Sequence, residues 1–599
     1  MDQSKKPSTT TPEQPNEDDA SELKSLFADG KLVHPYLSKE FFQDSSSSSS
    51  SSSAKDHVAL NFVDLAASLA IICCGVIPSC SSEDDDKLAC ASSNNIISTA
   101  LTDEDIQNKR LQLAAEIDGG GSGRRHIVLI LCDGMGNSIL QNTLDKQSFF
   151  NRNNQQQRLR AVFPSTTPAA LTSLATASWP GIHGMPGWNL RDKRGCDYPG
   201  SNQHNDKAHP PVQLLVLSDH IKDAQSGKLA SEMGFDSWDE VFVEQPWARH
   251  VGGTSSDGNS NSKKPTTKQR RMIYINAYNG DDYQEWSQGT IMNDKERKRK
   301  HSDATDFSEW QMGKQATSET KKQSSTLFET AKIEETAFDT LGEPKGSVDA
   351  IQYYRDGINA ALDLIAKAER NDEKTFTYLY TAHPDKHMHA LGVEHIEVQN
   401  VVHGIEMETE RFWRALGDRE ALLSGKYDVD SSSGGLEQEN RLKKGDDAVD
   451  ATVMLTADHG HVTVHPEDMV VLPECILELL EYACIGVHGK GRHGYLHCRA
   501  GLQKPLQQRW KAIDELHQHF LLLTIEEAIE IGLFGPKQMR MKVRPRLGDF
   551  VSISIGTKTL VTPSENEAFC KGCQCQGAHG SLHPEEMHIP FILLEPSSR

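Results

Sequence analysis

Residues 126–136 read HIVLILCDGMG. The apolar run is unbroken from Ile127 to Cys132 and stops at Asp133-Gly134. A run this short, with no polar alternation, predicts a strand buried on both faces, the pattern of a parallel sheet. Two later stretches repeat the form, FTYLY at 376–380 and TVMLT at 452–456. Each is soon followed by a carboxylate and an imidazole: Asp385 and His389 after the first, Asp458 and His459 after the second. In open α/β sheets ligand sites gather outside the carboxyl ends of the strands. Three such junctions therefore predict an α/β fold, with a mostly parallel central sheet between helical layers and one crevice fed by several strands. Residues as distant as 126 and 579 must converge there, so one catalytic domain is expected and not a string of small ones.

Helices are predicted between these strands at Val348–Arg370, at Glu394–Leu416 with Phe412 and Trp413 on the apolar side, and at Thr524–Ile531, where Thr524 and Glu527 fit a capping box. Residues 1–55 are polar, include the serine run Ser45–Ser53, and are expected to be a disordered low-complexity tail. Residues 56–125 read as a helical lead-in with a polar linker, with order beginning near Val58 and a polar break at Ser81–Asn95. Residues 126–599 form the expected catalytic domain, with polar inserts near 252–323 and 428–447. The basic run Lys295–Lys300 in the first insert reads as a solvated loop.

Hydrophobic residues make up 37% of the 599, below the usual level of about 45–50%. The formal net charge of −22 is unsuited to gripping a phosphate backbone, so no nucleic-acid duplex is expected as partner. A small phosphate ester or nucleotide, held through metal, fits better. The apolar stretch VDLAASLAIICCGVI at 63–77 carries Asp64 and falls short of the roughly 20 residues a spanning helix needs. It predicts a buried helix, and no membrane span is expected. Met1–Lys24 shows no secretory pattern, and twelve cysteines in this length are not a disulfide framework; both features point to a reducing, cytoplasmic setting. Cys570, Cys573 and Cys575 read as reduced thiols, there being no second ligand pair at zinc spacing. Nothing in the sequence gives the oligomeric state.

Thr167 precedes Pro168 and an apolar stretch, AALTSLATA, which predicts a helix with Thr167 at its N-cap. Free backbone N–H groups there favour an anion, and a hydroxyl is placed to attack phosphorus if a metal lowers its pKa. Taken alone, the segment reads more readily as a plain cap. Asp385 and His389 are four apart, on one face if helical. His383 and His387 crowd that region but fall outside the pair. Asp458-His459 precedes Gly460, with His461 and His465 as spare candidates. His579 lies in the turn Gly577-Ala578-His579-Gly580, with His583 and His588 less well placed. Asp133, Thr167, Asp385, His389, Asp458, His459 and His579 split as four plus three and suit two divalent ions, zinc first, manganese or iron next.

These motifs resemble the alkaline phosphatase superfamily, specifically the type I phosphodiesterase/nucleotide pyrophosphatase family. The resemblance runs from about 126 to 597, through FPSTTPAALTSLATA, HPDKHMHALG, LTADHGH, RPRLGDFVSIS and HGSLHPEEMHIPFILL. The helix around Asn61–Ala70 is similar to a segment ahead of the catalytic domain in bacterial-type members. The resemblance implies an alkaline-phosphatase-like three-layer sandwich. It implies one zinc on Asp385, His389 and His579, and another on Asp133, Thr167, Asp458 and His459. It makes Thr167 the nucleophile, through a phosphothreonine that water then hydrolyses from the opposite side, with Thr166 as fallback. Departures are specific. Nucleotide-cleaving members carry an aromatic residue just after the nucleophile, then Pro-Asn-His; here Pro168-Ala169-Ala170 stand there, so the base-stacking platform does not carry over. Ala177-Ser178 replaces a usual Thr-Gly. Asn189 stands in for the phosphate-contacting asparagine, with Trp188 as the other choice.

The expected activity is hydrolysis of phosphodiester or phosphoanhydride bonds. A phosphomonoesterase or phosphonate hydrolase would use the same site. A sulfatase is disfavoured because Thr167 lacks a CxPxR-like context, and a phosphate mutase because it needs a serine nucleophile. Outside enzymes, a metal-binding pseudoenzyme or an interaction scaffold built on the charged inserts are the competing readings.

Overall fold

The computed structural model describes residues 18–44, 57–75, 102–121, 123–155, 157–192, 212–216, 221–223, 242–244, 246–248, 270–277, 328–332, 346–426, 448–481, 487–489, 491–536, 539–563 and 576–595. The strand His126–Cys132 forms as its sequence predicts and is buried along its whole length. It lies between Ala451–Thr456 and Lys374–Thr381, parallel to both. The central sheet continues outward in the order Ile592–Leu594, Ala451–Thr456, His126–Cys132, Lys374–Thr381, Arg270–Asn276, Phe328–Lys332. Only the Ile592–Leu594 edge is antiparallel. Central strands covered on both faces have no use for polar alternation, which is why their sequences read as plain apolar runs.

The predicted helices form at Ser347–Arg370, Ile396–Leu416 and Ile525–Ile531, the last with the Thr524–Glu527 capping box in place. The first packs on strand Lys374–Thr381 and against the second. The apolar stretch near 63–77 becomes the helix Phe62–Cys74, capped by Asn61 at one end and by left-handed Gly75 at the other. It packs against Asp103–Ile117 and Thr167–Thr176, and its Phe62, Leu65 and Leu69 join the same core as Ile127–Leu131. Among the described residues no helix is long and apolar enough to cross a membrane.

A second, antiparallel sheet is ordered Val487–His488, His493–Leu496, Phe550–Ser554, Phe520–Thr524. The strand FLLLT shows the two-residue period of a strand wedged between two cores. Leu521 and Leu523 face the main core, while Phe520 and Leu522 join a smaller one around Trp510 and Ile476.

Three expectations need correction. The 1–55 stretch is not wholly a disordered tail. Residues 18–44 fold onto the domain, with a helix at Asp18–Ala28 and Leu23, Phe27, Leu32 and Tyr36 almost fully buried. His34 Nε2 lies 3.0 Å from Ile531 O, and Val33 N–H donates to Leu582 O at 2.8 Å. Sparse but well-spaced apolar residues supply the burial that the average composition hides. Second, the stretch 252–323 contains the central-sheet strand Arg270–Asn276, paired with Lys374–Thr381. Third, the helix Thr167–Thr176 is capped by Thr166, so Thr167 occupies its first turn. The serine run 45–53, the basic run 295–300, the insert at 428–447 and Cys570, Cys573 and Cys575 lie outside the described residues.

Docking of the N-terminal segment has a measurable consequence. Phe27 is 1% exposed, so Phe27→Ala is expected to cost about 3–5 kcal/mol in denaturant unfolding, as for other fully buried aromatics. A loss below about 0.5 kcal/mol, the level of a neutral surface change, would mean the segment is not docked.

Candidate metal centre

Parallel pairing brings the carboxyl ends of three adjacent strands to one edge, with Cys132 opposite Thr381 and Thr456 opposite Leu131. Asp133 follows the first strand directly. Asp385 opens the short helix Asp385–Leu391 beyond the second, and Asp458 and His459 follow the third. Two glycines let these turns meet. A Cβ on Gly134, at φ +72°, would lie 2.9 Å from Asp385 Cβ, and one on Gly460 would lie 1.9 Å from Glu585 O. Only glycine fits such close approach.

Two groups of ligand-type side chains result, each with atoms mutually within 4.8 Å: Asp133, Asp458 and His459, and Asp385, His389, His461 and His579. The groups abut. The rings of His459 and His579 stack with centroids 3.6 Å apart, and Asp385 N–H donates to Asp133 O at 3.1 Å. Thr167 Oγ1 sits in the first group, 3.1 Å from His459 Nε2 and 3.4 Å from Asp133 Oδ1. Tyr380 donates to Asp133 Oδ2 at 2.6 Å, leaving Oδ1 toward Thr167. Asp458 Oδ1 accepts from the N–H groups of Gly134 and His459, both at 3.0 Å.

Three of the imidazoles are oriented from behind. Nδ1 of His389 lies 2.8 Å from Gly577 O, Nδ1 of His579 2.8 Å from Ser165 O, and Nδ1 of His459 3.1 Å from Gly460 O. A carbonyl partner requires the proton on Nδ1, so each Nε2 lone pair is turned into the group, the arrangement that metal-ligating histidines adopt. Behind them, the fully buried ion pair Arg492–Glu586 ties the loops together. Glu586 accepts from Ser581 N–H at 2.6 Å, and its Oε2 lies 3.2 Å from Ser165 Oγ. The Glu586 carbonyl accepts from Gly460 N–H at 2.8 Å. One residue thus connects the Thr167 loop, the His579 loop and the turn after His459.

The electrostatics call for a cation. Burial, then the neighbouring Asp458 and Asp385, pushes the Asp133 carboxyl well above the usual carboxylate range. Burial, then the surrounding imidazoles, holds His579 and His461 well below theirs. Asp458 Oδ2 and both ring nitrogens of His461 form no hydrogen bond although buried. Clustered carboxylates and neutral imidazoles with free lone pairs are the donor set of zinc and its neighbours, so the residues fit divalent ions.

All seven sequence-predicted ligands converge here. His461, held as a spare, joins the group of Asp385. Thr166 does not: its hydroxyl forms no hydrogen bond, and it lies on the side of Gly187, Gly580 and His493. Asn189 opens the strand Asn189–Asp192, which pairs with Val212–Val216. His383 and His387 pair with each other, Nδ1 to Nδ1 at 3.0 Å. Sequence reasoning missed Tyr380 and Glu586. The first had a readable signal, since a tyrosine near the end of a fully buried strand needs a partner for its hydroxyl. The second, an acid one residue past a plain Pro-Glu, had none.

A family model described as type I phosphodiesterase/nucleotide pyrophosphatase matches residues 127–582. No curated protein matches the chain. Among solved structures the chain is similar to murine ectonucleotide pyrophosphatase/phosphodiesterase 5, at 12% identity over 78% of this chain and 87% of that one, with a TM-score of 0.41. It is also similar to phosphonoacetate hydrolase from Sinorhizobium meliloti 1021 in complex with phosphonoformate, at 15% identity over 78% and 90%, with a TM-score of 0.42.

Proposed function

Because the chain belongs to the type I phosphodiesterase/nucleotide pyrophosphatase family and is a phosphoric ester hydrolase, we propose that it cleaves phosphodiester or phosphoanhydride bonds with Thr167 as nucleophile beside two divalent ions, zinc first among them. The observation that carries this reading is the position of the Thr167 hydroxyl, at the first turn of its helix and within 3.4 Å of both Asp133 and His459. Bound ions would supply Lewis-acid stabilisation of the phosphoryl oxygens and a lowered pKa for the attacking hydroxyl.

The chain's own residues do the rest. Asp385, His389 and His579 hold one ion, and Asp133, Asp458, His459 and Thr167 the other. Tyr380 fixes the Asp133 carboxylate, and His459 is fixed by Gly460. The N–H groups of the first turn, Thr167 and Ala169, have no partner within the helix and face developing negative charge on phosphorus. Oγ1 gives up its proton and bonds to phosphorus as the P–O bond to the leaving group breaks, the proton passing through solvent to the leaving oxygen; water then adds its oxygen to phosphorus, the Oγ1–P bond breaks, and a proton from that water restores the Thr167 hydroxyl. Asn189 belongs to this proposal as a phosphate contact. A cytoplasmic setting belongs to it too.

Ala169 and Ala170, fully buried where an aromatic platform would continue, favour a second reading in which the leaving group is not a stacked base and the substrate is a phosphomonoester or phosphonate. Elemental analysis and hydrolysis of bis-p-nitrophenyl phosphate and p-nitrophenyl phosphate on one sample decide between them. About two zinc per chain with diester preference is expected. Monoester preference would move the protein to the second reading. A folded protein without metal would overturn both.

A further inference from the structure

We infer that His461 is a fourth protein ligand of the ion held by Asp385, His389 and His579, so that the two ions differ in the kind of donors the protein gives them. The inference rests on the two-ion reading above and refines it. His461 is fully buried, with its Nε2 3.4 Å from Asp385 Oδ1. Its ring centroid lies 4.6 Å from that of His389 and 4.7 Å from that of His579, against 5.7 Å from His459. It therefore belongs to the group of Asp385 and not to that of Asp133.

The second observation is independent of the first. Neither nitrogen of the His461 ring forms a hydrogen bond, and both are inaccessible to solvent. A buried polar group left without any partner costs about 1–3 kcal/mol. The other imidazoles of the centre avoid that cost through a backbone carbonyl on Nδ1. Among the described residues His461 has no such carbonyl, and Asp385 and the imidazoles of His389 and His579 lie beside it. A cation beside Asp385 would occupy the Nε2 lone pair, which among the described residues meets no hydrogen-bond donor.

The chemical consequence is an asymmetric pair. One ion receives three imidazoles and a carboxylate, which completes a four-coordinate set from protein atoms alone. The other receives two carboxylates, one imidazole and the Thr167 hydroxyl, the group that leaves to attack. The nitrogen-rich position favours zinc or cobalt, whereas the carboxylate-rich one accepts harder ions such as manganese. The first equivalent of a borderline metal should enter at His461.

The test uses full-length metal-free protein titrated with Co2+. At one equivalent the wild type is expected to show the strong visible absorption of four-coordinate cobalt. It should also give three exchangeable, paramagnetically shifted imidazole N–H signals. His461→Ala is expected to weaken that first equivalent by about 10–100-fold, at least the effect of losing an outer partner, and to weaken its visible band. His389→Ala serves as the comparison, and His461→Gln replaces His461→Ala if the latter fails to fold. Two imidazole signals in the wild type, with His461→Ala binding Co2+ as tightly as the wild type while His389→Ala does not, would overturn the fourth ligand and leave the two-ion reading standing. Failure of the wild type to bind Co2+ at all would overturn both. The signal count needs no variant.

Discussion

Thr167→Ala is expected to lower kcat for phosphoester hydrolysis by about 10⁴-fold or more, the scale on which removal of an attacking group acts in hydrolases. KM should change little, because the substrate's phosphate would still meet both groups of ligands and the N–H groups of the first turn. The fold should survive. The hydroxyl makes short contacts only with His459 and Asp133, and a net hydrogen bond is worth about 0.5–1.5 kcal/mol. Thr166→Ala is the matched control. Its hydroxyl is buried on the far side of the loop, by Gly187 and Gly580, and forms no hydrogen bond. Stopped-flow quench with a labelled substrate should trap label on the wild type and on Thr166→Ala, and none on Thr167→Ala. Label on Thr167→Ala, or wild-type turnover by it, would remove Thr167 from the mechanism.

The parts of this molecule that the sequence discloses are those whose physics is local. Strands such as HIVLILC are legible because burial on both faces forces an unbroken apolar run, and their ends are legible because Asp-Gly stops it. The Thr524–Glu527 box is legible because both of its hydrogen bonds lie within four residues. The strand RRMIYIN at Arg270–Asn276 escaped because its four apolar residues sit among long polar flanks, although its neighbours in the sheet treat it as a central strand. The N-terminal segment escaped through averaging: Leu23 and Phe27 are one helical turn apart and form an apolar stripe, but the serine run dilutes the window that contains them.

The centre itself divides in the same way. Among the seven candidate ligands, Asp133, Asp458, His459 and His579 follow strands, Thr167 and Asp385 open helices, and His389 lies one turn past Asp385, so position along the chain points to them. Whether His461 shares a metal with Asp385 depends on the bend at Gly460, forced by the Glu585 carbonyl more than a hundred residues away in sequence. Glu586 and Arg492, 94 residues apart, meet only because the His579 loop folds back over the antiparallel sheet. No spacing rule reaches that far. The candidate ligands were readable, and the residues that hydrogen-bond behind them were not.

Removing the ions is expected to make stability fall with rising pH in a window where the loaded protein is flat. In the metal-free protein the Asp133 carboxyl is raised by burial and by Asp458 and Asp385, so the folded state binds its proton more tightly than the unfolded state. The stability this contributes is complete below the unfolded value of about 3.9 and is lost as pH rises toward the raised folded value. His461 and His579 act in the opposite sense. Their folded values are depressed, so the stability they contribute grows as pH rises through the unfolded value of about 6.5 and levels off about one unit above it. Only about one pH unit above that value have the histidines stopped changing, and ordinary carboxylates are ionised there too, so a slope that Asp133→Asn removes is assigned to Asp133. The limit is about 1.36 kcal/mol per pH unit for one proton. An ion replaces that proton, and at 100 times its dissociation constant it adds about 2.7 kcal/mol. Urea unfolding at about pH 7.5 and 8.5, above the histidine range, should then show a steeper pH-dependent loss in chelator-treated protein than in zinc-loaded protein or in chelator-treated Asp133→Asn. Equal slopes in the two chelator-treated proteins would place the proton elsewhere and break the link between the carboxylate cluster and its ion.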